Sequence, residues 1–145
     1  MRYLIITSLL FIYSNLSMAQ IKQIEDFKWK NRVLVIYSNE YSTSLLDSQS
    51  EEIKSDLEEF KVRDLIVLIL EDEIVKSLNL KKEQYLNYEQ ILERLNVNSE
   101  DGYQNILIGK DGGIKMRKDQ PIKNEKLFAT IDAMPMRKRE MKDKN

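Results

Sequence analysis

The chain has 145 residues, 42% of them hydrophobic, and sets 23 basic against 24 acidic side chains with neither cysteine nor histidine. That near-neutral balance lacks the sustained positive field that nucleic acid or an anionic membrane surface requires. Without thiols or imidazoles, disulfide exchange, cysteine nucleophiles and most transition-metal sites are out of reach.

At the start, MRYLIITSLLFIYSNLSMAQ places one positive charge, Arg2, before an apolar run from Leu4 to Tyr13. Ser17 and Ala19 are small residues two apart, suited to the subsites of a signal peptidase, so residues 1–19 are expected to be a signal peptide and Gln20 the mature N-terminus. The run is shorter than the ~20 residues of a membrane helix, and no cysteine follows to carry a lipid. Taking 19 residues from 145 leaves 126, and losing Arg2 moves the net charge from −1 to −2. A periplasmic or secreted protein is expected, without a stable membrane span in the mature chain and long enough for one core held by packing alone.

Val33 to Tyr37 (VLVIY) and Leu65 to Leu70 (LIVLIL) are unbroken apolar runs, as in strands covered on both faces at the centre of a parallel sheet. Between them Leu46, Ile53, Leu57 and Phe60 recur at spacings of seven, four and three, which predicts one helix with a single buried face. Ser44 and Asp47 form a capping-box-like pair at its start. Strand, helix and strand with short connections make a βαβ unit, right-handed by the chirality rule. Trp29 and Tyr37 are expected at the core or its edge.

The polar stretch after Glu71 contains Tyr85, Tyr88, Leu92 and Leu95 at helical spacing, predicting a helix over 83–95. Asp101 and Gly102 form a turn before a strand over 104–108 in which Ile106 and Ile108 share a face. Glycines 109, 112 and 113 accept tight hairpin geometry, and Ile114 to Arg117 returns antiparallel. Asn124 is expected to cap a last helix burying Leu127, Phe128, Ile131 and Met134, and Pro135 disfavours helical geometry at Met134. From Lys138 to Asn145 the chain is charged and expected to fray.

The order β, α, β, α, β, β, α is the thioredoxin-like pattern. It implies an α/β, three-layer fold with a central mixed sheet of about four strands flanked by helices, residues 20–136 forming the domain and 137–145 a charged tail. Four segments make the resemblance specific: WKNR at Trp29 to Arg32, Arg63 with Asp64, GKDGGIKMR at Gly109 to Arg117, and LFATIDAMPMRKREM at Leu127 to Met141. Together they resemble the bacterial domain-of-unknown-function family numbered 4174, which is similar to thioredoxin-like folds and has no assigned reaction.

In redox-active thioredoxin-like proteins the paired cysteines sit where the first strand meets the first helix. This chain has Ser38, Asn39, Glu40, Tyr41, Ser42, Thr43 and Ser44 there, and DGYQ at Asp101 to Gln104 in place of a proline before the third strand. Hydroxyls form no disulfide, so oxidoreductase chemistry is excluded at that position. Ser42, Thr43 and Ser44 beside a helix N-terminus could instead seat an anion, against simple capping. The hairpin glycines lack Walker spacing and a following helix, so turn geometry explains them, and Lys110 and Asp111 are expected to be solvated at the tip. Asp132, Arg137, Arg139 and Glu140 gather around the MPM turn. There the arginines could clamp an anion or partner with Met134 and Met136 as apolar contacts, or Asp132 could pair with an arginine to fasten the helix. The acidic groups Asp56, Glu58, Glu59 and Glu71, Asp72, Glu73 match no EF-hand spacing and read as solvated faces, so no metal or cofactor is expected. The leading reading is a binding or interaction module for a protein, a peptide or a small anion. The alternatives are an enzyme with Asp111 or Asp132 as acid or base beside Arg137, and a purely structural envelope protein.

Overall fold

The computed structural model describes residues 20–80 and 85–144. The expected signal peptide, residues 1–19, lies outside them, as do the first two residues of the helix predicted over 83–95 and Asn145 at the end of the tail.

The two apolar runs become the centre of the sheet. Strand β1 (Arg32–Ser38) is buried at every position and pairs in parallel with β2 (Leu65–Glu71), Val33 opposite Ile66 and Tyr37 opposite Leu70. Beyond β2 lies β3 (Ile74–Ser77), and on the other side of β1 lie β4 (Tyr103–Ile108) and β5 (Ile114–Lys118), all three antiparallel to their neighbours. The order β3-β2-β1-β4-β5 gives five strands where about four were expected. The additional one, β3, is a short edge strand in which half-buried and exposed residues alternate, so no apolar run announces it.

Side chains alternate across the sheet and fill two cores. On one face Leu34, Ile36, Val67 and Leu107 meet α1 (Thr43–Lys54), α2 (Leu57–Val62) and α4 (Asn124–Asp132) through Leu46, Ile53, Phe60, Leu127 and Ile131. On the other, Val33, Val35, Leu68, Leu70, Ile106 and Ile108 meet Ile24 and Phe27 of an N-terminal 3-10 turn and Ile91 and Leu95 of α3 (Tyr88–Leu95). This is the three-layer α/β arrangement expected of a thioredoxin-like fold. Tyr37 is buried as expected, but Trp29 is 63% exposed in a left-handed backbone conformation, φ 65°, its amide donating to Lys110 O.

Other local expectations are corrected by competing hydrogen bonds. The single helix predicted after β1 is broken at Ser55 and Asp56, where the Ser55 hydroxyl donates to Glu52 O at 2.7 Å and Asp56 leaves helical geometry, although Leu46, Ile53, Leu57 and Phe60 still meet one core. Ser42, not Ser44, stands at the N-cap of α1 and caps nothing with its side chain, so the Ser44/Asp47 capping box does not form. Helix α3 starts at Tyr88, capped by Asn87, whose side-chain oxygen accepts from the Gln90 amide at 2.9 Å; it buries Ile91 and Leu95, while Tyr85 is 56% exposed before it. For α4 the cap is supplied from elsewhere: the Asn124 amide donates to the Glu52 carboxylate at 2.9 Å, and Asn124 is the first helical residue, not the cap.

Met134 is extended, as Pro135 demands, yet the chain restarts as α5 (Pro135–Lys142) with proline in its first turn, so the stretch from Lys138 to Lys142 is helical where fraying was expected. Its one buried residue is Arg137.

Candidate functional site

Two poles of the sheet hold the residues singled out by the sequence. They are separated by the length of β1, about 20 Å for seven residues.

At the carboxyl end of β1 lies the strand-to-helix junction, closed on itself. The Asn39 amide donates to Gly102 O at 2.9 Å, and the Ser42 hydroxyl donates to the same carbonyl. Ser42 Oγ lies 3.1 Å from Ser38 Oγ, and the Asn39 side-chain oxygen accepts the Tyr41 amide at 3.1 Å. Gly102 makes this possible by turning with φ 69°. Ser42 is therefore buried and engaged, Thr43 is exposed with its hydroxyl donating to Glu40 O, and Ser44 is exposed in the first turn of α1. The amides of Asn39, Tyr41 and Ser42 and the Ser42 hydroxyl are spent locally, while the Thr43 and Ser44 amides in the first turn of α1 have no acceptor among the described residues.

At the opposite pole, charged side chains converge from five directions. Arg32, 1% exposed at the first position of β1, donates through Nη1 to Arg63 O at 2.9 Å and through Nη1 and Nη2 to both oxygens of Glu140 in α5. Lys110 from the β4–β5 hairpin is not solvated as expected: its Nζ lies 2.8 Å from both Asp64 and Glu140. Arg63, just after α2, forks onto both oxygens of Asp132, pairs with Glu59, and lays its guanidinium 4.3 Å from the centre of the Phe128 ring. Arg137 donates to Asp132 at 3.1 Å and to Val62 O at 3.2 Å.

Burial alone would raise the Asp132 pKa, but hydrogen bonds from Arg63 and Arg137 outweigh it and hold the carboxyl below its ordinary range. Glu140 is held low in the same way by Lys110 and Arg32 against its own burial. Asp132 and Arg137 thus pair with each other. A general acid or base near neutral pH needs a raised carboxylate, the opposite condition. Asp111, the other candidate acid, is held low chiefly by the Lys115 ammonium and by the Gly113 amide.

Arg139 points elsewhere. It is exposed, its guanidinium without a hydrogen-bond or ion-pair partner among the described residues. It rims an open cavity of about 260 Å³ whose wall is Arg32, Lys110, Asp111, Lys115 and the turn Met134, Pro135 and Met136. Gly112, with φ 82°, turns the hairpin beside it, and a Cβ at Gly109 would meet Lys115 Cε at 2.6 Å, so the hairpin backbone sits hard against that lysine. A larger cavity of about 590 Å³ runs along Leu57, Leu65, Leu78 and Leu80. Among the described residues no three acidic side chains come together as a metal cage.

Of the sequence candidates, the structure brings together Asp132 and Arg137, sets Arg139 on the outer side of the same helix, and leaves Ser42, Thr43 and Ser44 at the far pole. Arg32, Arg63, Asp64 and Lys110 carry much of the network without having been candidates. One signal was available: Arg32 abuts the unbroken apolar run of β1, where a buried charge demands a partner.

Comparison with known proteins matches residues 23–140 to a family described as "Domain of unknown function (DUF4174)". Among solved structures the chain is similar to reduced 2-Cys peroxiredoxin of Plasmodium vivax, at 16% identity over 80% of this chain and 84% of that one, with a TM-score of 0.56. It is also similar to the mitochondrial 2-Cys peroxiredoxin of Plasmodium falciparum, at 12% identity over 76% and 79%, with a TM-score of 0.53. At such identities the likeness is one of fold. No curated protein matches the chain.

Proposed function

We propose that this chain, which belongs to the DUF4174 family, is an exported thioredoxin-like binding module that meets its partner at the pole of the MPM turn. One arrangement supports the reading: Arg139, Met134 and Met136 border an open cavity while Arg137, Arg63 and Asp132 hold α5 in place from behind. A surface that combines a free guanidinium with two thioethers on a fixed scaffold suits a protein or peptide partner, since methionine adapts to apolar shapes and arginine supplies direction. Trp29 reaches this pole through its backbone, its amide donating to Lys110 O, and its indole is exposed. A chain without cysteine brings no thiol chemistry to it.

Photo-crosslinking in the exporting cell tests the reading. Benzoylphenylalanine in place of Met136 is expected to give a discrete crosslinked species, and the same group in place of the 87% exposed Tyr41 at the other pole is not. Equal products at both positions, or none at Met136, would overturn the choice of pole. N-terminal sequencing of the same material, starting at Gln20, tests export.

A further inference from the structure

We infer that the MPM-turn cavity is a carboxylate subsite, taking the side chain of an aspartate or glutamate of the partner protein. The inference rests on the binding role proposed above and specifies the chemistry recognised there.

The cavity wall holds four cationic side chains, Arg32, Lys110, Lys115 and Arg139, against one carboxylate, Asp111. Local pairing answers three of them and leaves Arg139 over. Asp111 is used by Lys115 at 2.7 Å and by the Gly113 amide at 3.0 Å, Lys110 lies 2.8 Å from both Asp64 and Glu140, and Glu140 also takes Arg32 and, at 3.6 Å, Arg137. Arg139 has no counter-ion among the described residues. The cavity is therefore edged by one unanswered guanidinium, and the Met134, Pro135 and Met136 side of the wall lowers the screening that would weaken its pull on an anion.

Two further features point the same way. The N-terminal end of α5 opens on the cavity with Met134 at its cap and no capping side chain, so its positive end is not answered from within the fold. Arg32, 1% exposed and part of the wall, also keeps a buried Nε–H without an acceptor among the described residues, although no accessible surface of that nitrogen opens on the cavity. A carboxylate fits better than a bare apolar side chain because it answers Arg139 and Lys115 at the rim with charge-assisted hydrogen bonds while its methylene stem lies on the methionines.

Trp29 is the chain's one tryptophan and its amide donates to Lys110, so indole emission reports on this pole. The probes are acetyl-Leu-Glu-Leu-amide and its neutral isostere acetyl-Leu-Gln-Leu-amide, titrated into the mature chain and followed by Trp29 emission and amide NMR shifts. The glutamate peptide is expected to shift the Met136 and Arg139 amides with at least tenfold higher affinity than the glutamine peptide. In an Arg139→Gln, Lys115→Gln double variant the two peptides are expected to become equal. Inorganic phosphate is a third arm: binding at the same amides as tight as that of the glutamate peptide would show a general oxyanion site and overturn the assignment to a protein carboxylate. Equal binding of the two peptides to the wild type, no binding of either, or shifts spread over surface lysines would also overturn it. If crosslinking from position 136 persists while the peptides fail to discriminate, the subsite falls and the binding face stands; if crosslinking is lost too, both fall.

Discussion

The two ends of β1 solve the same problem in opposite ways. At the carboxyl end the chain satisfies itself with neutral groups close in sequence: Ser42 reaches Asn39, Ser38 and Gly102, and most of the pattern lies within residues 38–44. At the amino end it uses full charges drawn from remote segments, Arg32 to Glu140 across 108 residues and Arg63 to Asp132 across 69. The first arrangement spends the donors of Asn39, Tyr41 and Ser42 within itself. The second, built with more cations than the fold itself answers, leaves Arg139 free and a cavity open. In this chain the strand-to-helix pole is a turn bonded largely within itself, and the unpaired guanidinium lies at the other end.

That contrast is best tested by stability. Glu140→Ala would leave Arg32 buried without its bidentate partner and strip Lys110 of one of its two carboxylates. A loss of about 3 kcal/mol in urea unfolding is expected, because stranding a buried charge costs more than the pair itself contributed. A loss below that of a neutral change at the junction would break the comparison.

Acid should do gradually what that substitution does at once. Asp132 and Glu140 have folded pKa values below their ordinary 3.8 and 4.5, so their contribution is complete above those values and is lost as the pH falls through the depressed folded ones. Unfolding free energy is expected to be flat near neutrality and to fall below about pH 4.5, and an Asp132→Asn, Glu140→Gln variant should start lower and fall less steeply. Glu52, Asp26 and Asp111 are also held low, so some acid slope remains in that variant. A wild-type curve that stays level to pH 3 would mean that the network contributes nothing.

How much of this could be read in the sequence follows from the same contrast. The βαβ unit, the hairpin and the proline-forced break at Met134 were legible because each depends on neighbours: an apolar run, a glycine-rich turn in which Gly112 alone takes positive φ, one ring. Helix α5 was not, because its buried residue is an arginine whose partners, Asp132 and Val62 O, come from other elements. The break at Ser55 escaped notice because the apolar spacing continues across it. Arg139 was legible as a charge near a distinctive turn, but its freedom depends on which neighbours the fold assigns to every other carboxylate.

At the junction, Ser42→Ala removes a buried hydroxyl that serves Gly102 O, Asn39 and Ser38. The cost is expected to be about 1–2 kcal/mol, that of leaving neutral partners unpaired. It should show as a lowered urea midpoint with no change in the peptide affinities at the far pole, since the two ends share no side chain. A change in those affinities would mean that the poles are coupled through β1.

The smallest effect on stability is expected from Trp29→Gly, and its smallness is the point. A tryptophan at φ 65° carries left-handed strain of about 1–2 kcal/mol that glycine relieves, while the glycine's freer unfolded chain returns about 0.5–1 kcal/mol. The indole is 63% exposed, with Lys28 Nζ 5.3 Å from its ring, so little packing is lost. Unfolding free energy should move by less than about 1 kcal/mol. If the proposed binding face reaches the exposed indole, crosslinking from position 136 should nevertheless weaken. If instead the variant loses several kcal/mol, Trp29 is a structural residue after all and the docking face ends at the hairpin.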